Sequence, residues 1–249
     1  MSATAGRGPR TGAGGDASFG AAGRPGTVRI RVWDLPTRLF HWSLAVCVAG
    51  SIVSANLGGN ALAWHFRFGY AILALLLFRV AWGFVGPRYA RFASFPPNPG
   101  AALRHLLAQP AYAPGHSPLG ALSVYAMLVV LAVQAVTGLF ANDEILWEGP
   151  LRNTVSNATS DWLTALHLSN RWLLIGLVAL HLAAIAWHAL VRRRRLVRAM
   201  VVGDAEFDTR STAGGSPRPA TDDGPVRARA ALLLAAAAAL VWMVVTQAA

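Results

Sequence analysis

Five long apolar runs organise this chain, over roughly residues 40–57, 64–85, 119–141, 163–191 and 230–247. The second, third and fourth reach the length of about 20 residues that a helix rising about 1.5 Å per residue needs to cross a hydrocarbon core. The first comes close to it. The last contains ALLLAAAAALVWMVV, which is shorter and rich in Ala, and two readings of it stay open. Hydropathy favours a fifth span; the other reading is a helix lying on the membrane surface or packed on the bundle. Residues 1–28 are rich in Gly, Ala and Arg, lack the apolar core of a secretory signal, and are expected to be disordered. The pattern therefore predicts an all-α integral membrane protein: a cytoplasmic tail over 1–28, a four-helix transmembrane bundle over 29–200, a cytoplasmic linker over 201–228 and a C-terminal hydrophobic helix over 229–249.

Composition supports the lipid bilayer as the chain's solvent: of 249 residues, 55% are hydrophobic and only 13% charged. All 22 basic residues are Arg, and the formal charge is +11. Such a charge suits nucleic acid or an anionic membrane surface, and the hydropathy selects the membrane, so no nucleic-acid partner is expected. The single cysteine, Cys47, sits inside an apolar run. It forms no intrachain disulfide, and metal clusters that need several thiolates are excluded.

The arginines between the runs set an orientation. Arg7, Arg10, Arg24, Arg29, Arg31 and Arg38 precede the first helix; Arg88, Arg91 and Arg104 follow the second; Arg192, Arg193, Arg194, Arg195 and Arg198 follow the fourth. The loop after the first helix has no charge, and the loop after the third sets one Arg among Asp143, Glu144, Glu148 and Asp161. By the positive-inside rule the N-terminus is cytoplasmic. Tryptophans 33, 42, 64, 82, 162 and 187 fall near helix ends, where amphipathic rings are expected at the headgroup level.

The chemistry lies with the histidines. His41, His65, His167, His181 and His188 fall in or beside apolar helices, where an ionisable group is costly; His105 and His116 belong to the Pro-rich loop after the second helix. Any one of the five is accounted for by a hydrogen bond to a neighbouring helix. Together they fall at two depths. His41 opens the first helix on the cytoplasmic side and His65 opens the second on the outer side. On the fourth helix His181 follows His167 by 14 residues, a rise of about 21 Å on nearly the same face. The spacing gives an outer pair, His65 with His167, and an inner pair, His41 with His181. Two imidazole pairs at two depths are what two six-coordinate b-type haems require. His188, seven residues past His181 and facing much the same way, competes for the inner position. His41 sits roughly 25 Å below the outer end, which fits His181 better than His188 at about 31 Å from His167.

Arg38, Arg67 and Arg171 each lie within about a turn of one of these histidines. Each suits a haem propionate, and each equally suits a snorkelling helix-end side chain. Gly50, Gly69, Gly138 and Gly176 would let a flat macrocycle approach the backbone, or let helices pack closely.

Residues 29–200 resemble the bacterial cytochrome b561 and nickel-iron hydrogenase cytochrome b family. The resemblance rests on RVWDLPTRLFHW at 31–42, LLLFRVAWGFVGPRYARFASF at 75–95, GHSPLG at 115–120, LHLSNRWLLIGLVALH at 166–181 and WHALVRRRRLVRAM at 187–200. It implies four helices holding two haems, with His41, His65, His167 and His181 as ligands. It also implies electron exchange between the quinone pool and a redox partner: a hydrogenase, a dehydrogenase or a c-type cytochrome. Some relatives are instead superoxide:quinone oxidoreductases. As an electron-transfer subunit, the chain is expected to meet its partner through the loop from 142 to 162 or through the cytoplasmic face. A self-contained superoxide:quinone oxidoreductase would use the same cofactors, and a haem-free transporter or structural membrane protein would use the histidines for packing or proton movement.

Overall fold

A computed structural model of the chain describes residues 27–108, 114–208 and 218–247. Residues 1–26 of the expected tail and 209–217 of the expected linker lie outside the described residues.

In chain order the elements are β1 (Thr27–Arg31), α1 (Leu35–Leu57), α2 (Leu62–Val85), α3 (Pro99–Ala108), α4 (Pro118–Gly138), α5 (Asn157–Leu190), α6 (Leu196–Val202), β2 (Asp204–Asp208) and α7 (Gly224–Gln247). Among the described residues, α1, α2, α4, α5 and α7 are long and apolar enough to cross a membrane. Most begin ahead of their apolar runs because a polar first turn carries the cap. Asp34 accepts from the Thr37 N–H at 3.0 Å, Ser117 from Gly120 at 3.1 Å, Ser156 from Thr159 at 3.2 Å and Asp223 from Val226 at 3.0 Å. Pro36 and Pro118 occupy first turns, where no N–H is missed.

The 34 residues of α5 make a rod of about 51 Å, well beyond a hydrocarbon core of about 30 Å. Helix α7, at 24 residues, is long enough to span and beyond Arg229 is apolar all round, unlike a helix that lies in an interface. It packs along α2, with Val226, Ala230 and Ala237 against Phe40, Phe78 and Trp82. Helices α2, α4 and α5 meet through Ile72, Leu76, Val130, Leu131 and Leu174. Leu39, Val46, Phe84, Leu180 and Leu232 point outward, as expected where the surrounding solvent is hydrocarbon.

One end of the bundle carries a collar that the hydrophobic pattern did not reveal. β1 and β2 pair antiparallel, from Thr27 opposite Asp208 to Arg31 opposite Asp204. Ile30, Val32, Trp33, Tyr89, Ala199, Ala205, Phe207 and Ala220 form a small core beneath them. The segment expected as a linker thus contributes β2, while β1 overlaps the expected tail only at Thr27 and Val28. Asp222, with a side chain only 6% exposed, joins the collar to the bundle by accepting from Arg31 at 2.7 Å and Arg227 at 3.1 Å. The opposite end is formed by the short α1–α2 connection and the loop between α4 and α5; these are called here the collar end and the loop end.

The tryptophans divide. Trp42, Trp64, Trp162 and Trp187 are exposed near helix ends, whereas Trp33 lies in the collar core and Trp82 is fully buried. Its indole N–H donates to Asp34 at 3.1 Å, so Trp82 locks α2 to the start of α1 instead of sitting at a headgroup.

Candidate functional site

The helices bring the expected histidines together in pairs. At the loop end the rings of His65 and His167 lie 6.0 Å apart between centres, with planes at 90°. Nearer the collar, His41 and His181 lie 6.4 Å apart at 52°. His181, not His188, is the ring that faces His41. The His188 ring Nδ1 is buried without a partner, and its carbonyl accepts from the Arg194 N–H at 2.8 Å.

These separations have a direct chemical reading. A metal–imidazole bond of about 2 Å on each side, with about 1 Å more to each ring centre, puts two axial rings about 6 Å apart. The loop-end rings are also in the tautomer that metal ligation needs. His65 Nδ1 lies 3.0 Å from the Ser51 carbonyl, and His167 Nδ1 lies 2.9 Å from the Gln134 carbonyl. A carbonyl only accepts, so Nδ1 carries the proton in both rings and Nε2 keeps its lone pair. At the collar end, His41 Nδ1 is buried with no hydrogen-bond partner.

Between the helices at the loop end lies a cavity of about 340 Å³, mostly apolar, whose walls include His65, His167, Arg171, Gly69, Gln134 and Trp147. A Cβ at Gly69 would meet nothing within 4 Å, and the same holds at Gly176. Gly50 and Gly138 differ: a Cβ there would come within 2.6 Å of the Phe68 ring and 2.9 Å of the His167 ring. Gly69 thus leaves open space on the cavity wall, while Gly138 lets His167 lie against α4. The spacing, the tautomers and the open wall fit a haem.

The three arginines separate in the same way. Arg171 lines the cavity, with its guanidinium 4.9 Å from the Trp172 ring centre and its Nε buried without a partner. Arg67 lies over Trp64 at 4.8 Å and is absent from the cavity wall. Arg38 donates to the Val201 carbonyl at 2.6 Å and reaches Asp222 at 3.9 Å, which ties it to the collar.

Several residues around the loop-end pair escape the search for ionisable groups. The Gln134 amide nitrogen lies 3.1 Å from His167 Nε2, and its oxygen accepts from Asn170 at 2.7 Å. The Thr137 hydroxyl lies 3.3 Å from His167 Nδ1. The signal that finds them is polarity alone: Ser51, Gln134, Thr137 and Asn170 are hydrogen-bonding side chains inside apolar spans, where each needs a partner. Beside the collar, His116 packs against Phe95 at 4.1 Å and Trp33 at 4.8 Å. Burial first, and then the Arg79 charge, push its pKa down to about 3.

The sequence model of the family described as prokaryotic cytochrome b561 matches residues 32–203. The chain is similar to a protein of Azotobacter vinelandii named "Probable Ni/Fe-hydrogenase B-type cytochrome subunit", with 28% identity over 213 residues that cover 70% of this chain and 87% of the relative. Proteins of the same name from Azotobacter chroococcum mcd 1 and Rhizobium leguminosarum bv. viciae are 27% and 24% identical, covering 70% and 73% of this chain and 87% and 90% of their own lengths. No solved structure matches the chain.

Proposed function

Because this chain belongs to the prokaryotic cytochrome b561 family, a family of membrane b-type cytochromes, we propose that it holds two haems and relays single electrons between a quinone and a redox partner subunit. His65 and His167 hold one haem and His41 and His181 the other. The observation that carries this reading is that four histidines from three helices form two facing pairs about 6 Å apart, the spacing of axial ligands.

Held between two imidazoles, a haem would supply reversible one-electron transfer. The protein's own groups do the rest. The Ser51 and Gln134 carbonyls fix the ring orientation of the loop-end ligands and raise their basicity. Arg171 supplies a guanidinium for a propionate at the same end. The apolar walls exclude water and keep the reorganisation on electron transfer small. Helix α5 carries one ligand of each pair, so a single rod sets the separation of the two centres across the membrane.

The arginine distribution favours an inner-membrane protein with the collar end in the cytoplasm. The names of the relatives favour a hydrogenase-type partner over other redox proteins. A pyridine haemochrome assay on protein from haem-sufficient cells is expected to give two haems b per chain, and a value of one or none overturns the paired reading. Purification in mild detergent, with identification of the associated subunits, tests the partner.

A further inference from the structure

The loop between α4 and α5 is held rigidly and carries features that haem binding does not use. Asp143 accepts from the backbone N–H groups of Ile145, Leu146 and Trp147 at 3.0, 2.9 and 2.8 Å. Asn142 and Glu148 form an antiparallel bridge, and the Asn142 amide donates to Ser160 at 2.7 Å. The tip so formed holds Ile145 at 91% and Leu146 at 74% exposure. Beside the tip lies a polar hollow of about 560 Å³, lined in part by Glu144, Glu148 and Asp161. Arg152 shares that lining and donates to Asn157 at 2.7 Å. Trp147 borders both the hollow and the cavity of His65 and His167. It stacks on Phe66 at 5.9 Å, and Phe66 lies 6.1 Å from the His65 ring.

We propose that this loop is the docking surface for a redox protein whose electron-exchanging edge is ringed by Lys and Arg. The proposal rests on the haem reading above and adds the place and charge of the partner's footprint. The apolar tip buries against the partner, the hollow receives a basic side chain, and Trp147 with Phe66 leads to the His65 pair. One electron passes: the partner's centre is oxidised and the b-type centre reduced by one unit, or the reverse, and no bond forms or breaks.

Charge decides the occupant. The chain carries a formal +11, yet this loop and the start of α5 set four carboxylates, Asp143, Glu144, Glu148 and Asp161, against Arg152. Anionic headgroups would be repelled by it, which disfavours a lipid surface for the tip. A second copy embedded in the same orientation presents its own acidic loop, not its basic collar end. A basic partner gains both steering and register.

The test uses reduced, haem-replete full-length protein in nanodiscs, mixed with an oxidised basic c-type cytochrome as the probe and, in parallel, with ferricyanide. The rate with the basic cytochrome is expected to fall about tenfold as salt rises from low to physiological strength. The Glu144→Gln, Glu148→Gln double variant should be about tenfold slower with the cytochrome at low salt and no slower with ferricyanide. Ile145→Ser should slow the cytochrome reaction several-fold at every salt concentration. A rate that ignores both salt and the two carboxylates overturns the proposal. Rates that change between detergent and nanodiscs but ignore the carboxylates assign the loop to lipid and overturn it too. The haem absorbance of each sample separates the two failures: absence of haem sinks the cofactor reading, while salt-insensitive exchange by a haem-replete protein sinks only the docking site.

Discussion

His65 and His167 lie 6.0 Å apart with their ring planes at 90°, and each ring is anchored through Nδ1 to a main-chain carbonyl, that of Ser51 or that of Gln134. Main-chain anchors survive side-chain substitution, so the loop-end pair can be removed one ring at a time without loosening the other. His65→Ala or His167→Ala is expected to lower the haem content from two per chain to one, leaving the collar-end haem in place, as measured by pyridine haemochrome. Two haems retained in both variants would remove the loop-end assignment.

The two pairs differ in ring geometry, and paramagnetic resonance reads that difference. Perpendicular axial imidazoles keep two d orbitals of low-spin ferric iron close in energy, and a smaller angle splits them. The pair at 90° should give the more anisotropic low-spin signal and the pair at 52° the more rhombic one. His65→Ala should abolish the more anisotropic signal selectively. Two indistinguishable signals would contradict these angles.

Gln134 holds His167 through its main-chain carbonyl on Nδ1 and through its side-chain amide, which lies 3.1 Å from Nε2 and also donates to the His167 carbonyl at 3.1 Å. The carbonyl sets the tautomer, and the amide competes for the lone pair that iron would take. Gln134→Leu keeps the first contact and deletes the second. Haemin titration of haem-depleted protein should show the loop-end site binding about fivefold tighter, the scale of one net hydrogen bond. Weaker binding would make the amide a support of the ligand and not a competitor.

His116 has a folded-state pKa of about 3, below the ordinary imidazole value of about 6.5. A depressed pKa means that protonation opposes folding. The neutral ring's contribution is complete above pH ~6.5 and is lost as the pH falls toward about 3. At pH 5 the loss is about 2 kcal/mol. Thermal unfolding of the wild type should therefore steepen its pH dependence below about pH 6.5, and His116→Phe should flatten that segment. Equal slopes for the two proteins would show that other groups govern it.

Asp222 accepts from Arg31 on β1 and from Arg227 on α7, and its side chain is only 6% exposed. Removing it leaves several guanidinium groups without their shared acceptor. The arginines are partly solvated, so Asp222→Ala should destabilise the protein by about 1–2 kcal/mol instead of the larger penalty of a fully buried pair. Limited proteolysis after Arg218 to Arg227 should accelerate as α7 loosens from the collar. Unchanged cleavage would show that the contacts of Val226 and Ala230 with α2 suffice to hold α7.

The membrane spans were legible because hydropathy is summed over a long window and forgives local detail. The nearness of the His41 and His181 rings, and of the His65 and His167 rings, agrees with the depths read from the helix order together with the 14 residues between His167 and His181. The collar was not legible. TVRIR and DAEFD do alternate polar and apolar residues, but five residues each are too few to separate a strand from charged flank, and their pairing joins positions more than 170 residues apart. Sequence distance to a histidine does not say which way a guanidinium turns. Arg38 turns to Val201 and Arg67 to Trp64. Trp82 misled for a related reason: closeness to a helix end marks the headgroup level only when no inward partner such as Asp34 is waiting.

That His167 and His181 ride on the same unbroken α5 makes the separation of the two histidine pairs a matter of integers. One residue inserted between them would swing His181 by about 100° away from His41 while leaving His65 and His167 untouched. Seven inserted residues would restore the facing but draw the two levels about 10 Å further apart. A lineage carrying this helix cannot adjust the gap between the two histidine pairs gradually. It keeps the present interval or jumps by whole turns, and every such jump must be matched on α1 and α2 before both partners can meet again.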